Sequence, residues 1–307
     1  MDDHGGHGHG HSEHRHEHHD HAHGHHHGHE GGHAHPYHVD SLRNNDALYA
    51  DVYSQIVRWL APPPDAVMLD AGCGAGGFTK LLAEAAPNGR VVALDEGEEM
   101  LEATRGLAEA SGVRGRVITR RGDIQEGSLP EERFDIAWSS RTVHHLRDQL
   151  AGVRRLADLL KPGGRLVLRE GMTNSRFLPE DLGIGERGLE ARLEVAFHQW
   201  FSANVRGDGV PYPFGWTQML RDAGLSDVTA RTFLLEALPP FTDAQVRYMS
   251  QHLKRWLDDE DRRSALTSED IATLERLTDP ASDHFVFARP DLQLVETVTV
   301  YVGRKPE

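Results

Sequence analysis

Cysteine is almost missing from this chain: Cys73 is the single one in 307 residues. No intrachain disulfide can form, and such usage fits a reducing compartment. Positive charge is also scarce, with 33 Lys plus Arg against 48 Asp plus Glu and a formal net charge of −15. That balance argues against general affinity for nucleic acid. No apolar run approaches the length of a membrane span, and the N-terminus lacks the apolar centre of a signal peptide, so no membrane is expected as partner and the expected location is cytoplasmic. Aromatic residues make up only 7% of the chain. Their clustering, where it occurs, is therefore informative.

What is abundant is histidine, and it is confined. Of 22 histidines only His144, His145, His198, His252 and His284 lie beyond residue 38, which leaves 17 in the first 38 positions among Gly, Asp and Glu. This stretch has almost nothing apolar to bury and cannot offset its ordering entropy, so it is expected to be a disordered tail. Neutral imidazoles are common ligands for Zn, Ni and Cu. Alternation such as His7, His9 and His11, or the run His25, His26 and His27, lets many ligand sets form without a fixed fold. A neutral low-complexity filler or tag is the plainer reading.

Residues 39–307 read as one domain. Leu42, Leu48, Tyr49, Val52, Tyr53, Ile56, Trp59 and Leu60 recur at helical spacing, and the prolines Pro62 to Pro64 stop the pattern. Most of this stripe reads as core, with Tyr49 or Tyr53 also able to lie over a ligand. Then comes Val67-Met68-Leu69-Asp70-Ala71-Gly72-Cys73-Gly74-Ala75-Gly76-Gly77: a buried parallel strand, a tight glycine turn and, from Phe78, a helix. Glycines suit a turn whose backbone angles exclude side chains and whose bare backbone meets a ligand. Gly72, Gly74 and Gly77 satisfy the dinucleotide pattern G-x-G-x-x-G. Asp70, however, sits at the strand end directly before the glycines, unfavourable for a pyrophosphate and suitable for a cation. S-adenosylmethionine carries both a sulfonium and an ammonium group.

A second strand, Arg90 to Asp95, ends on an acid 19 residues beyond Gly76, where ribose hydroxyls can be bound. Further strands follow at Arg116 to Thr119, Phe134 to Trp138 and Arg165 to Glu170, with helices between them. The stretches LDAGCGAGG (69 to 77), VVALDEGEEML (91 to 101), GDI (122 to 124), FDIAWSSRTVHHLRD (134 to 148) and LKPGGRLVL (160 to 168) cover about a hundred residues. In order and spacing they resemble the class I S-adenosylmethionine-dependent methyltransferases, of the small-molecule type similar to the ubiquinone and menaquinone biosynthesis enzymes.

That resemblance implies a Rossmann-like α/β fold: a seven-stranded, mostly parallel sheet whose last strand, Gln293 to Gly303, is antiparallel. Helical cap insertions are expected at about 171–213 and 237–292. It implies that Gly72, Gly74 and Gly76 wrap the methionine part of S-adenosylmethionine with Asp70 near its ammonium group. Asp95 and Glu96 would meet the ribose, Asp123 and Ile124 the adenine, and Ser139 the methionine moiety. His144 and His145, following strand four, are candidate general bases. Phe197, Trp200, Phe201, Tyr212 and Trp216 join Tyr49 and Tyr53 as candidate lining of an apolar acceptor pocket.

The expected reaction is in-line methyl transfer to an O, N or C atom of a small aromatic or polyketide-like molecule. Two rivals are a metal-handling protein whose tail is the working part beside an ancillary methyltransferase-like domain, and an enzyme whose tail delivers a cation to its site. The expected partner is a small molecule, with a homodimer left open.

Overall fold

The computed structural model of the chain describes residues 38–171, 175–206 and 209–307. The expected tail, and with it His7, His9, His11, His25, His26 and His27, lies outside the described residues.

The elements are α1 (Val39–Leu48), α2 (Ala50–Leu60), β1 (Val67–Ala71), α3 (Gly77–Ala85), β2 (Arg90–Asp95), α4 (Glu98–Ala110), β3 (Val117–Arg121) and β4 (Phe134–Ser140). They continue as α5 (Gln149–Asp158), β5 (Leu160–Arg169), α6 (Leu189–Phe201), α7 (Trp216–Asp222), β6 (Ser226–Ala237), α8 (Asp243–Asp258), α9 (Glu260–Ser264), α10 (Ser268–Thr278) and β7 (Leu294–Arg304). The sheet order is β3-β2-β1-β4-β5-β7-β6, and only β7 runs against its neighbours. Seven strands, mostly parallel with an antiparallel last strand, is the architecture expected. The final strand does more than flank β6: it is inserted between β5 and β6.

Alternate residues of the central strands serve opposite faces, which is why these strands read as unbroken apolar runs. Met68, Val91, Ile136 and Val167 face a core completed by α2, α3, α6, α8 and α10. Leu69, Val92, Ala137 and Leu166 face a smaller core with α5 and α7. The order reverses at β1, whose neighbours β2 and β4 leave on opposite sides, so a crevice opens at the carboxyl ends of β1 and β4. The glycine turn after β1 and the loop after β4 both lie at that crevice.

Side chains close the starts of two helices. Thr242 and Gln245 form a reciprocal capping box at the start of α8. Asp148 caps α5 by accepting from the Ala151 N–H at 2.9 Å. The single helix expected over Val39 to Leu60 is two helices meeting at Tyr49. The physical reason is that the halves serve different partners. Asn44 of α1 donates to the Ala244 carbonyl at 3.3 Å and accepts from Arg247 Nε at 2.8 Å, whereas α2 buries Val52, Ile56 and Leu60 on the sheet.

Candidate active site

The glycine turn is fastened from every side. Gly72 and Cys73 both donate their N–H to the Leu94 carbonyl, at 2.8 and 3.0 Å. Gly72 has φ of +80°, and a Cβ there would stand 2.2 Å from Thr142 Oγ1; Gly76, at φ +86°, would meet the Thr104 Cα at 2.9 Å. Only glycine fits either position. Asp95, at the end of β2, accepts the Gly74 N–H at 2.9 Å on one oxygen and the Gly97 N–H at 3.0 Å on the other. Burial raises the pKa of its carboxyl despite these backbone donors.

Helix α1 lies over the turn. Asp46 accepts the first N–H of α3, from Gly77, at 3.1 Å, and burial pushes its carboxyl up to about 6. Leu42 Cδ1 is 3.2 Å from where a Gly74 Cβ would be. The carboxylate thus occupies the positive end of α3, the place where an anionic group is favoured.

Asp70 and Ser139 form the floor, and neither reaches upward. The Asp70 carboxylate is buried and accepts the Thr79 hydroxyl at 2.6 Å; burial, with the Asp46 and Asp95 charges adding, raises it to about 7. Ser139 is fully buried and donates to the Ala71 carbonyl at 2.9 Å, tying β4 to β1. Both carry the turn from beneath. Asp123 accepts the Gln125 N–H at 2.6 Å, while Ile124 is buried against Leu94 and Val153 in the smaller core. Glu96 is exposed at the rim, its carbonyl accepting from Arg121 Nε at 3.1 Å. The structure thus joins the turn to the end of β2 through the Gly74–Asp95 hydrogen bond, and Gly122, beside Asp123, donates to the Asp95 carbonyl at 3.0 Å.

Across the crevice stands a residue that the sequence reading passed over. Glu170 follows the end of β5, is almost fully buried, and accepts from the Thr142 N–H at 3.0 Å and the Val143 N–H at 2.8 Å through one oxygen. Its other oxygen is 2.7 Å from His144 Nδ1. A carboxylate so placed can only accept, so Nδ1 carries the proton and Nε2 is left as the basic nitrogen. His144 and His145 have ring centroids 4.0 Å apart, and Phe201 of the cap lies 5.7 Å from His144. The sequence shows only an acid directly after an apolar strand, and the pairing of β4 with β5 is what gives it a partner.

A second buried polar group is centred on Arg169, next to Glu170 in the chain. Arg169 stacks its guanidinium 4.2 Å from the centre of Tyr49 and donates to Tyr53 Oη at 3.1 Å. Tyr49 donates to Glu296 at 2.7 Å, and Ser175 and Tyr248 reach the same carboxylate. Burial above all holds the Tyr49 phenol well above its usual range, so it stays a donor. The candidate pocket aromatics do not form one set. Phe197 stacks with Trp200 and lies tilted against Phe201 within α6. Tyr212 and Trp216 instead pack on the smaller core, with Tyr212 donating to Asp222 at 2.7 Å.

Among the described residues no helix is long and apolar enough to cross a membrane. No group of three or more His, Cys, Asp or Glu among them could hold a metal ion.

Residues 68–164 match the family model described as a methyltransferase domain. The chain is 28% identical to the nocamycin O-methyltransferase of Saccharothrix syringae, over 75% of this chain and 86% of that protein. It is 28% identical to the 27-O-demethylrifamycin SV methyltransferase of Amycolatopsis mediterranei, over 59% and 61%. With the ubiquinone/menaquinone biosynthesis C-methyltransferase of Paracoccus denitrificans it shares 32% over 41% of this chain and 52% of the other. The fold is also that of the phosphoethanolamine N-methyltransferase 2 of Haemonchus contortus, solved with phosphomonomethylethanolamine and S-adenosylhomocysteine. There the TM-score is 0.51 at 16% identity, covering 88% of this chain and 58% of that one.

Proposed function

Since the chain is a class I S-adenosylmethionine-dependent methyltransferase, similar to small-molecule enzymes of that class, we propose that its acceptor atom is a hydroxyl oxygen of a small aromatic or polyketide-like molecule. The observation that carries this is the buried Glu170–His144 pair at the mouth of β4. A nucleophile without a proton needs no base, whereas a phenol or enol must lose one as it attacks. One relative named as an O-methyltransferase and another named as a 27-O-demethylrifamycin SV methyltransferase support the same reading.

When bound, S-adenosylmethionine would supply an electrophilic methyl group, its sulfonium becoming the neutral thioether of S-adenosylhomocysteine. The glycine turn and Asp95 orient it from the β1 and β2 side. His144 Nε2 takes the hydroxyl proton, and Glu170 stabilises the imidazolium that results while keeping the ring in its orientation. The cap helix α6 brings Phe201 beside the histidines and helps exclude water, which favours a reaction that consumes charge. The rings Phe197, Trp200 and Phe201 form the acceptor's apolar wall in this reading; Tyr49 and Tyr53 hold the wall's polar backing through Arg169 and Glu296.

The test is a panel of phenols, enols, amines and C-nucleophilic quinols incubated with the chain and methyl-labelled S-adenosylmethionine, with products identified by mass spectrometry. O-methyl products are expected. Methylation confined to nitrogen or carbon acceptors would remove the proposal.

A further inference from the structure

The reaction uses the carboxyl ends of the parallel strands. At the opposite end of the sheet β5 and β7 run antiparallel, and their register sets Arg165 directly across from Arg304. Like charges so opposed destabilise a ladder, and this chain has an excess of carboxylates with which to prevent it. Arg304 is partly neutralised: its Nε lies 3.7 Å from Asp227 Oδ2, and it donates to the Gly163 carbonyl at 2.7 Å. Among the described residues no hydrogen bond or ion pair reaches the Arg165 guanidinium. Half-buried, it is held below the usual arginine range by desolvation and then by Arg304.

Both arginines open onto a cavity of about 260 Å³, whose other walls include Trp59, Leu60, Val302 and Asp227. Along its β6 wall the strand shifts register between Ser226 and Thr229, where Asp227 takes φ of +48°. An aspartate tolerates the left-handed region better than most side chains, and here that conformation accompanies the shift. The cavity therefore holds two cations against one carboxylate, with an indole and aliphatic walls beside them.

We infer that this cavity is a second ligand site, distinct from the methyl-transfer crevice, which binds a small aryl oxyanion: Arg165 and Arg304 take the phosphate or carboxylate, and Trp59 and Leu60 the ring. The fork of a guanidinium suits an oxyanion. From Arg165 to Arg169 the strand rises about 13 Å, so a ligand here does not touch the acceptor.

The experiment is calorimetric titration of the full chain with phenyl phosphate, benzoate and inorganic phosphate, with S-adenosylmethionine binding measured in parallel as proof of folding. Either aryl anion is expected to bind at least tenfold more tightly than inorganic phosphate, and the stronger of the two identifies the head group. Arg165→Gln should weaken that binding at least tenfold and Asp227→Asn should strengthen it, both with S-adenosylmethionine affinity unchanged. Arg120→Gln, which makes the same charge change on the exposed face of β3, should do nothing. Absence of aryl-anion binding by the full chain, or an equal loss in Arg165→Gln and Arg120→Gln, would overturn the inference; should Arg165→Gln not fold, the opposite shift in Asp227→Asn decides it.

Discussion

Glu170 accepts three hydrogen bonds, two from the backbone of the loop after β4 and one from His144. The loop's shape and the histidine's tautomer are thus fixed by one side chain. Glu170→Gln can still accept the backbone N–H groups but presents an amide where the negative charge supported the imidazolium. Methyl transfer to a hydroxyl should fall by about 10²- to 10⁴-fold, the range for a positioned acid–base group, while S-adenosylmethionine affinity measured by calorimetry stays within a few-fold. A similar loss of cofactor affinity would mean that Glu170 only shapes the loop.

Asp70 gives a prediction of the opposite kind, in stability. Its carboxyl is raised from the ordinary 3.8 to about 7. A raised acid binds its proton more tightly folded than unfolded, so its stability contribution is complete below about pH 4 and is lost as pH rises through 7. Asp70→Asn, which keeps an acceptor for Thr79, should melt with the parent chain at pH 4. At pH 8 it should be more stable, by up to about 4 kcal/mol from a shift of this size. Thermal melts across pH 4–9 decide this, and an equal difference at both ends would contradict it. The places of Asp70 and Asp95, at strand ends flanking a glycine turn, were legible from position alone, but the expected turn of Asp70 toward a ligand was not: its carboxylate is buried and held by Thr79. Glu170 was not, because a lone acid after an apolar strand has the same pattern as any strand terminus. Its meaning appears only when β4 and β5 lie side by side.

At the scale of elements, α1 is the segment that meets the turn from above, and Asp46 is its fastening. Asp46→Ala should speed amide hydrogen exchange in residues 39–48 relative to α2, which is anchored independently in the core. Uniform exchange across 39–60 would show the two helices to be one unit. Tyr49, at their junction, closes the network through Glu296. Tyr49→Phe removes a donor from a buried carboxylate and should cost about 1–3 kcal/mol in chemical denaturation. Periodicity revealed the helical stripe but not the junction. Both halves keep the same spacing, and the break comes from α1 packing on α8, some two hundred residues away in sequence.

Across the whole molecule, the parallel strands were readable as apolar runs bounded by turn signals, while the antiparallel sense of the last strand came only from the family resemblance. Register was not readable. It is what puts Arg165 opposite Arg304, and what places β7 between β5 and β6 so that Glu296 reaches Tyr49. Tyr212 and Trp216 were grouped with the cap aromatics by proximity in sequence, and the sheet separates them into the smaller core. The histidine-rich first 38 residues are proposed as a separate metal-binding module. Deleting them should abolish tight Ni²⁺ or Zn²⁺ binding in calorimetry and leave methyl transfer unchanged; a loss of transfer restored by added metal would instead make the tail a donor of metal to the reaction.

The most direct measurement is single-turnover methyl transfer from saturating S-adenosylmethionine to a phenolic or enolic acceptor by the parent chain and by His144→Ala. The account predicts an O-methylated product, slowed at least about a hundredfold in the variant with cofactor affinity intact. Transfer to the oxygen at an undiminished rate in His144→Ala would contradict the assignment of the base and, with it, the hydroxyl acceptor.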